Sequence, residues 1–91
     1  MSIMALLMLI ATISFAQTTI TGKITDSESG IPLIGANVLI QNSYSGTTTD
    51  LDGNYTLEVE NGDVLVFSYI GYLSQEITYN GQSKIDVSLF Q

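Results

Sequence analysis

Tyr55-Thr56-Leu57-Glu58-Val59-Glu60-Asn61-Gly62-Asp63-Val64-Leu65-Val66-Phe67-Ser68-Tyr69 is the stretch on which the fold turns. Tyr55, Leu57 and Val59 alternate with polar residues, the period of two expected of a strand with one face buried and the other in water. Val64 to Tyr69 is apolar on both faces, as a strand inside a sheet requires. Between them stands Asn61-Gly62, the pair best suited to the positive φ angles of a type I′ hairpin. Two strands joined by a tight turn are therefore expected here.

The same grammar extends in both directions. Toward the N-terminus, Ile20, Gly22 and Ile24 share one face of a strand, and Ala36, Val38 and Ile40 share one face of another, with a break at Gly30-Ile31-Pro32 between them. Gly46 to Thr49 reads as a short threonine-rich strand. Toward the C-terminus, Ile77 and Tyr79 precede a second Asn-Gly signal at Asn80-Gly81, and Ile85, Val87 and Leu89 close the series. No stretch after residue 16 carries a helical stripe. About seven strands punctuated by turns roughly every ten residues predict an all-β, immunoglobulin-like sandwich.

Met1 to Ala16 stands apart. Ile3 to Ile13 forms an apolar core broken only by small residues, and Ser14-Phe15-Ala16 supplies the small side chains of a cleavage site, so residues 1–16 are read as a signal peptide cut before Gln17. Its n-region carries no Lys or Arg. The apolar run ends too soon for a bilayer span of about 20 residues, so no membrane-crossing segment is expected in the mature chain. Residues 17–91 then form a single exported domain. A domain of this size buries only about 60% of the surface of its unfolded chain, and without Cys or His it has neither disulfide nor zinc to help.

Two Lys+Arg against 9 Asp+Glu give a formal charge of −7, which repels a phosphate backbone and argues against nucleic acid as a partner. Asp50-Leu51-Asp52-Gly53-Asn54 resembles the opening of a calcium loop, but the twelfth position, which should carry a bidentate acid, is Asn61. The preferred reading is a hairpin turn in which Asp50 accepts backbone N–H groups and Gly53 takes a positive φ. Asn54-Tyr55-Thr56 matches a glycosylation sequon by coincidence. Its informative member is Tyr55, placed to bury its ring at a strand corner and bond its hydroxyl to backbone. Catalysis finds no support: there is no His to activate a nucleophile, and Ser83 and Lys84, being adjacent, point to opposite faces of a strand. No catalytic, metal or cofactor-binding residue is assigned. In Phe67-Ser68-Tyr69-Ile70-Gly71-Tyr72, Phe67 and Tyr69 should face the core, Ser68 and Ile70 the outside, with a kink at Gly71.

Four segments together resemble a known family: Gly22-Lys23-Ile24-Thr25-Asp26, Gly30-Ile31-Pro32-Leu33-Ile34-Gly35-Ala36-Asn37-Val38, Gly46-Thr47-Thr48-Thr49-Asp50-Leu51-Asp52-Gly53-Asn54-Tyr55 and Phe67-Ser68-Tyr69-Ile70-Gly71-Tyr72. They resemble the carboxypeptidase-regulatory-like domain over nearly the whole mature chain. The resemblance implies a transthyretin-like sandwich that stands at the N-terminus of SusC/RagA-type TonB-dependent outer-membrane receptors of Bacteroidetes, ahead of plug and barrel. It implies a periplasmic or outer-membrane-associated location, a part in nutrient uptake with glycans among the candidate substrates, and no catalytic residues. Asn42-Ser43-Tyr44 departs from the family's usual Lys-Gly-Thr type of turn. A transporter barrel needs many strands of about ten residues, so this chain is expected to be the N-terminal fragment of such a receptor or a free module of its family. Its partner is then a protein or the receptor's own plug and barrel, met through a sheet edge or loop surface. The rivals are a structural spacer in an adhesin or peptidase, and a carbohydrate-binding module, which would need Tyr44, Tyr69 and Tyr72 accessible and close together.

Overall fold

Apolar alternation becomes seven strands in the computed structural model, which describes residues 17–91. The signal-peptide expectation for residues 1–16 lies outside the described residues. The strands are β1 (Thr18–Asp26), β2 (Asn37–Ile40), β3 (Gly46–Thr48), β4 (Asn54–Val59), β5 (Val64–Ser68), β6 (Gln75–Thr78) and β7 (Val87–Leu89). They form two sheets, ordered β4-β1-β7 and β3-β2-β5-β6. The central strand β1 is long enough to serve two partners. Thr18 to Lys23 pairs antiparallel with β4, and Ile24 to Asp26 pairs parallel with β7. In the second sheet β2 and β5 are central and antiparallel, running from Asn37↔Ser68 to Ile40↔Leu65.

Inward-facing residues of both sheets meet in one core. Ile20, Ile24, Val59 and Leu89 from the first sheet pack against Val38, Leu65 and Phe67 from the second, all nearly or wholly excluded from water. Each such side chain contributes about 1.5–3 kcal/mol by burial, and together they hold a domain that lacks cross-links. The faces assigned from alternation are the faces observed, including the exposed Ile70 and the turn at Gly71.

The two Asn-Gly turns differ from expectation. Asn61-Gly62 joins β4 to β5, and Asn80-Gly81 leads from β6 toward β7; in both cases the flanking strands lie in different sheets, so neither turn closes a hairpin. Only the glycines are left-handed, with φ 92° at Gly62 and 108° at Gly81, whereas a type I′ turn needs positive φ at both central residues. The core decides the matter: Val59 and Leu65 belong to opposite inner faces, and a hairpin would force them into one sheet. The two turns instead clasp each other, with Gly62 N donating to Tyr79 O at 2.9 Å and Tyr79 N to Asp63 O at 2.8 Å. The hairpins that do form are β2–β3 and β5–β6. In the first, Asn42 takes φ 62°, a conformation asparagine tolerates better than most residues.

Candidate functional site

The residues that suggested chemistry are engaged in structure. Asp50 Oδ1 accepts the N–H groups of Asp52 and Asn54, both at 2.9 Å, and Gly53 has φ 79°, the turn expected from sequence. It carries the chain from β3 to β4 between sheets, however, and is no hairpin. Among the described residues no group of three or more His, Cys, Asp or Glu side chains is arranged to hold a metal. Lys84 Nζ lies 3.9 Å from Asp86 Oδ2 at the surface, and Ser83 contributes only its carbonyl, to Thr21 N.

Tyr55 does what its position at a strand corner suggested. Its ring is buried edge-on to Phe67, with centroids 5.8 Å apart, and its hydroxyl donates to Ile85 O at 2.7 Å. Burial, reinforced by the negative charge of Asp86, pushes the phenol up to about 12. Gly22 makes room for this bond, because a Cβ there would lie 1.8 Å from Ile85 O and 2.7 Å from the Tyr55 ring.

At the end of the sandwich where β1 and β7 finish and β2 begins, four loops interlock. Tyr72 Oη donates to Asp26 Oδ2 at 2.6 Å and accepts Gln91 Nε2 at 3.2 Å, while its ring leans on Tyr69. That bond, with the N–H groups of Ser29 and Glu28 on Asp26 Oδ1, holds the Asp26 carboxyl below its usual range and pushes the Tyr72 phenol up. Thr49, the buried polar side chain of this region, accepts Ala36 N and donates to Leu33 O, tying the 33–36 segment to the end of β3. Gly53 packs against Pro32, and Leu73 N donates to Phe90 O at 2.7 Å. From this scaffold Ile31, Ile34, Leu51, Ile70, Leu73 and Phe90 project into solvent, Ile70 with 91% and Leu51 with 81% of its surface exposed. Sequence alternation placed Ile70 outside but could not show that these six gather at one pole.

The sandwich flanks are unequal. Gln75 Nε2 on β6 donates to Ser88 O on β7 at 2.5 Å, stitching one flank closed. On the other, the edge strands β3 and β4 border an open groove lined by Tyr44, Gly46, Thr47, Thr56 and Glu58, and no described strand pairs with the outer side of the six-residue β4. The tyrosines a sugar platform would need are separated. Tyr69 and Tyr72 lie beyond the Ser68 end of β5 and are partly buried, while the exposed Tyr44 lies beyond the opposite, Ile40 end of β2.

The family model described as the CarboxypepD_reg-like domain matches residues 20–91. The chain belongs to this family. Among curated proteins, a TonB-dependent receptor of Formosa agariphila is 39% identical over 87 residues, covering 94% of this chain and 9% of the receptor. A second receptor of that organism is 51% identical over 65 residues, covering 71% of this chain and 7% of its own length. The TonB-dependent receptor SusC of Bacteroides thetaiotaomicron is 42% identical over 85 residues, covering 88% of this chain and 8% of SusC. The chain thus spans less than a tenth of these relatives, in which the matching domain is the N-terminal region. Among solved structures, a chain in a mutant type II Cohesin-X-Dockerin complex of Acetivibrio cellulolyticus superimposes with a TM-score of 0.59 at 22% identity, over 78% of this chain and 51% of that one, a likeness of fold. The four segments that carried the resemblance all contribute to the interlocked pole or to the Gly22-Tyr55 contact beside it. No helix among the described residues is long and apolar enough to cross a membrane.

Proposed function

We propose that this chain is the non-catalytic accessory domain of a TonB-dependent outer-membrane receptor, exported to the periplasmic side of the outer membrane and serving nutrient uptake, glycans included. The observation that carries this reading is the family match over residues 20–91 joined to relatives that are all TonB-dependent receptors. The geometry supports it, since the polar side chains that could have suggested chemistry are committed to turns and loop ties. What the domain offers is surface: the open edge of β4, where backbone pairing needs no special side chains, and the loop pole. In frame after codon 91, the gene should encode a TonB box, plug and alternating barrel strands. Deleting residues 17–91 in that receptor should leave it in the outer membrane and lower uptake of its substrate. Uptake unchanged at equal receptor abundance would overturn the accessory role.

A further inference from the structure

We infer that the apolar pole is the face by which this domain docks onto the next folded domain of the same receptor polypeptide, an inference that rests on the receptor reading above. Single exposed apolar residues are ordinary, but a group of them rimmed by polar residues marks an interaction site. Among the described residues, six of the eight large exposed hydrophobics belong to the loops of this pole; the other two, Leu39 and Tyr44, lie on the outer face of β2 and in the opposite turn. The far end of the sandwich carries Glu60, Asn61, Asp63, Asn80 and Gln82, with Tyr44 as its one large exposed apolar side chain among the described residues. The asymmetry is therefore between two ends of one small domain with the same kind of turns.

The pole is also preorganised. Tyr72-Asp26, Thr49-Leu33 and Leu73-Phe90 hydrogen bonds fix the loops to each other before any partner arrives, so docking costs little loop ordering. Position 91 lies within it, held by the Tyr72 hydroxyl. In the receptor relatives the domain is the N-terminal region of a polypeptide more than ten times longer, so the next segment of such a receptor departs from among Leu73, Phe90 and Ile70. A second domain tethered to the same polypeptide meets this surface intramolecularly, at an effective concentration set by the length of its connector, so even a modest apolar contact is favoured over the same contact between separate chains. The exposed Glu28, Asp50 and Asp52 on the same loops specify a partner face that is apolar at its centre and basic at its rim.

The test is hydrogen–deuterium exchange of residues 17–91 alone and of the intact mature receptor in detergent micelles. Amides of residues 31, 33–35, 51–53 and 70–73 should exchange about tenfold or more slowly in the receptor. Leu73→Asp and Ile70→Asp, both at exposed sites, should abolish that protection while circular dichroism and thermal midpoint of the isolated chain stay unchanged; Thr56→Asp on the β4 edge should leave it intact. Equal exchange in the two proteins, or protection confined to the β4 edge, overturns the docking while leaving the receptor reading in place. Protection already present in the isolated chain and lost with a sedimentation-detected dimer in Leu73→Asp assigns the face to a second copy and also overturns it. A frame that encodes no further receptor domain after codon 91 overturns both.

Discussion

Replacing Tyr55 by Phe removes one oxygen atom and leaves the ring packing against Phe67 untouched. The lost hydroxyl is the donor to Ile85 O at 2.7 Å in a buried setting, so the carbonyl is left without that partner. Stranding a buried acceptor costs about 1–3 kcal/mol. A domain of about 75 residues has a total stability near 4–11 kcal/mol at roughly 0.05–0.15 kcal/mol per residue, so the loss is a sizeable fraction. Each kcal/mol lowers the melting temperature by about 4–8 °C at this size. The pH dependence separates this bond from mere packing. Because the folded phenol is raised from 10.0 to about 12, the fold favours its neutral form; that contribution is fully present below pH 10 and is lost as pH rises through about 12. Phe has nothing to ionise. Urea denaturation of both proteins at intervals from pH 8 to above 12 should show Tyr55→Phe weaker at pH 8 and the gap narrowing on the alkaline side. A gap below about 0.5 kcal/mol at pH 8, or one that stays constant across the range, would refute the reasoning.

Neighbouring contacts give three further expected outcomes. Gly22→Ala places a methyl group 1.8 Å from Ile85 O, so the backbone of that segment must move; the cost should reach or exceed the usual 1–3 kcal/mol of overpacking, and a double-mutant cycle with Tyr55→Phe should be non-additive because both act on Ile85. Thr49→Val keeps the shape but removes the oxygen shared by Ala36 N and Leu33 O, and chemical denaturation should register a loss of about 1–3 kcal/mol. Tyr72→Phe should raise the Asp26 carboxyl toward its ordinary range in an NMR titration; since a lowered carboxylate adds stability above the unfolded value of 3.8 and loses it as pH falls through the folded one, the variant should also show a shallower acid-side decline.

Strand faces were legible because alternation is a local property: Ile20 and Ile24, Val38 and Ile40, and Leu57 and Val59 needed no knowledge of their partners. Strand pairing was not. Asn61-Gly62 has the composition of a hairpin turn, yet whether its flanking strands pair depends on which inner face Val59 and Leu65 occupy, and that is set by β1 and β2 far away in sequence. The role of Tyr55 was visible from its place at a strand corner, and the Asp50 turn from its Asx-Gly spacing. Thr49 was hidden in a threonine run whose other members face solvent or the sheet margin, so only burial distinguishes it. The pole was hidden for a similar reason. Ile31, Leu51, Ile70 and Phe90 are ordinary one at a time, and only the closure of both sheets brings their loops to the same end.

Chain crossings between the sheets have a kinetic side. The β1–β2, β3–β4, β4–β5 and β6–β7 connections all change sheet, and the β4-β1-β7 sheet contains no pair of strands adjacent in sequence. Only the β2–β3 and β5–β6 hairpins can form from local encounter, whereas β1 must wait for Val87 to Leu89 to complete its pairing. So many distant contacts place the domain among slow folders, on the millisecond-to-second scale. A nascent chain emerging from its N-terminus would leave the edge of β1 from Ile24 to Asp26 without its parallel partner until Val87 to Leu89 arrive, so backbone protection of that edge should appear only with the last strand.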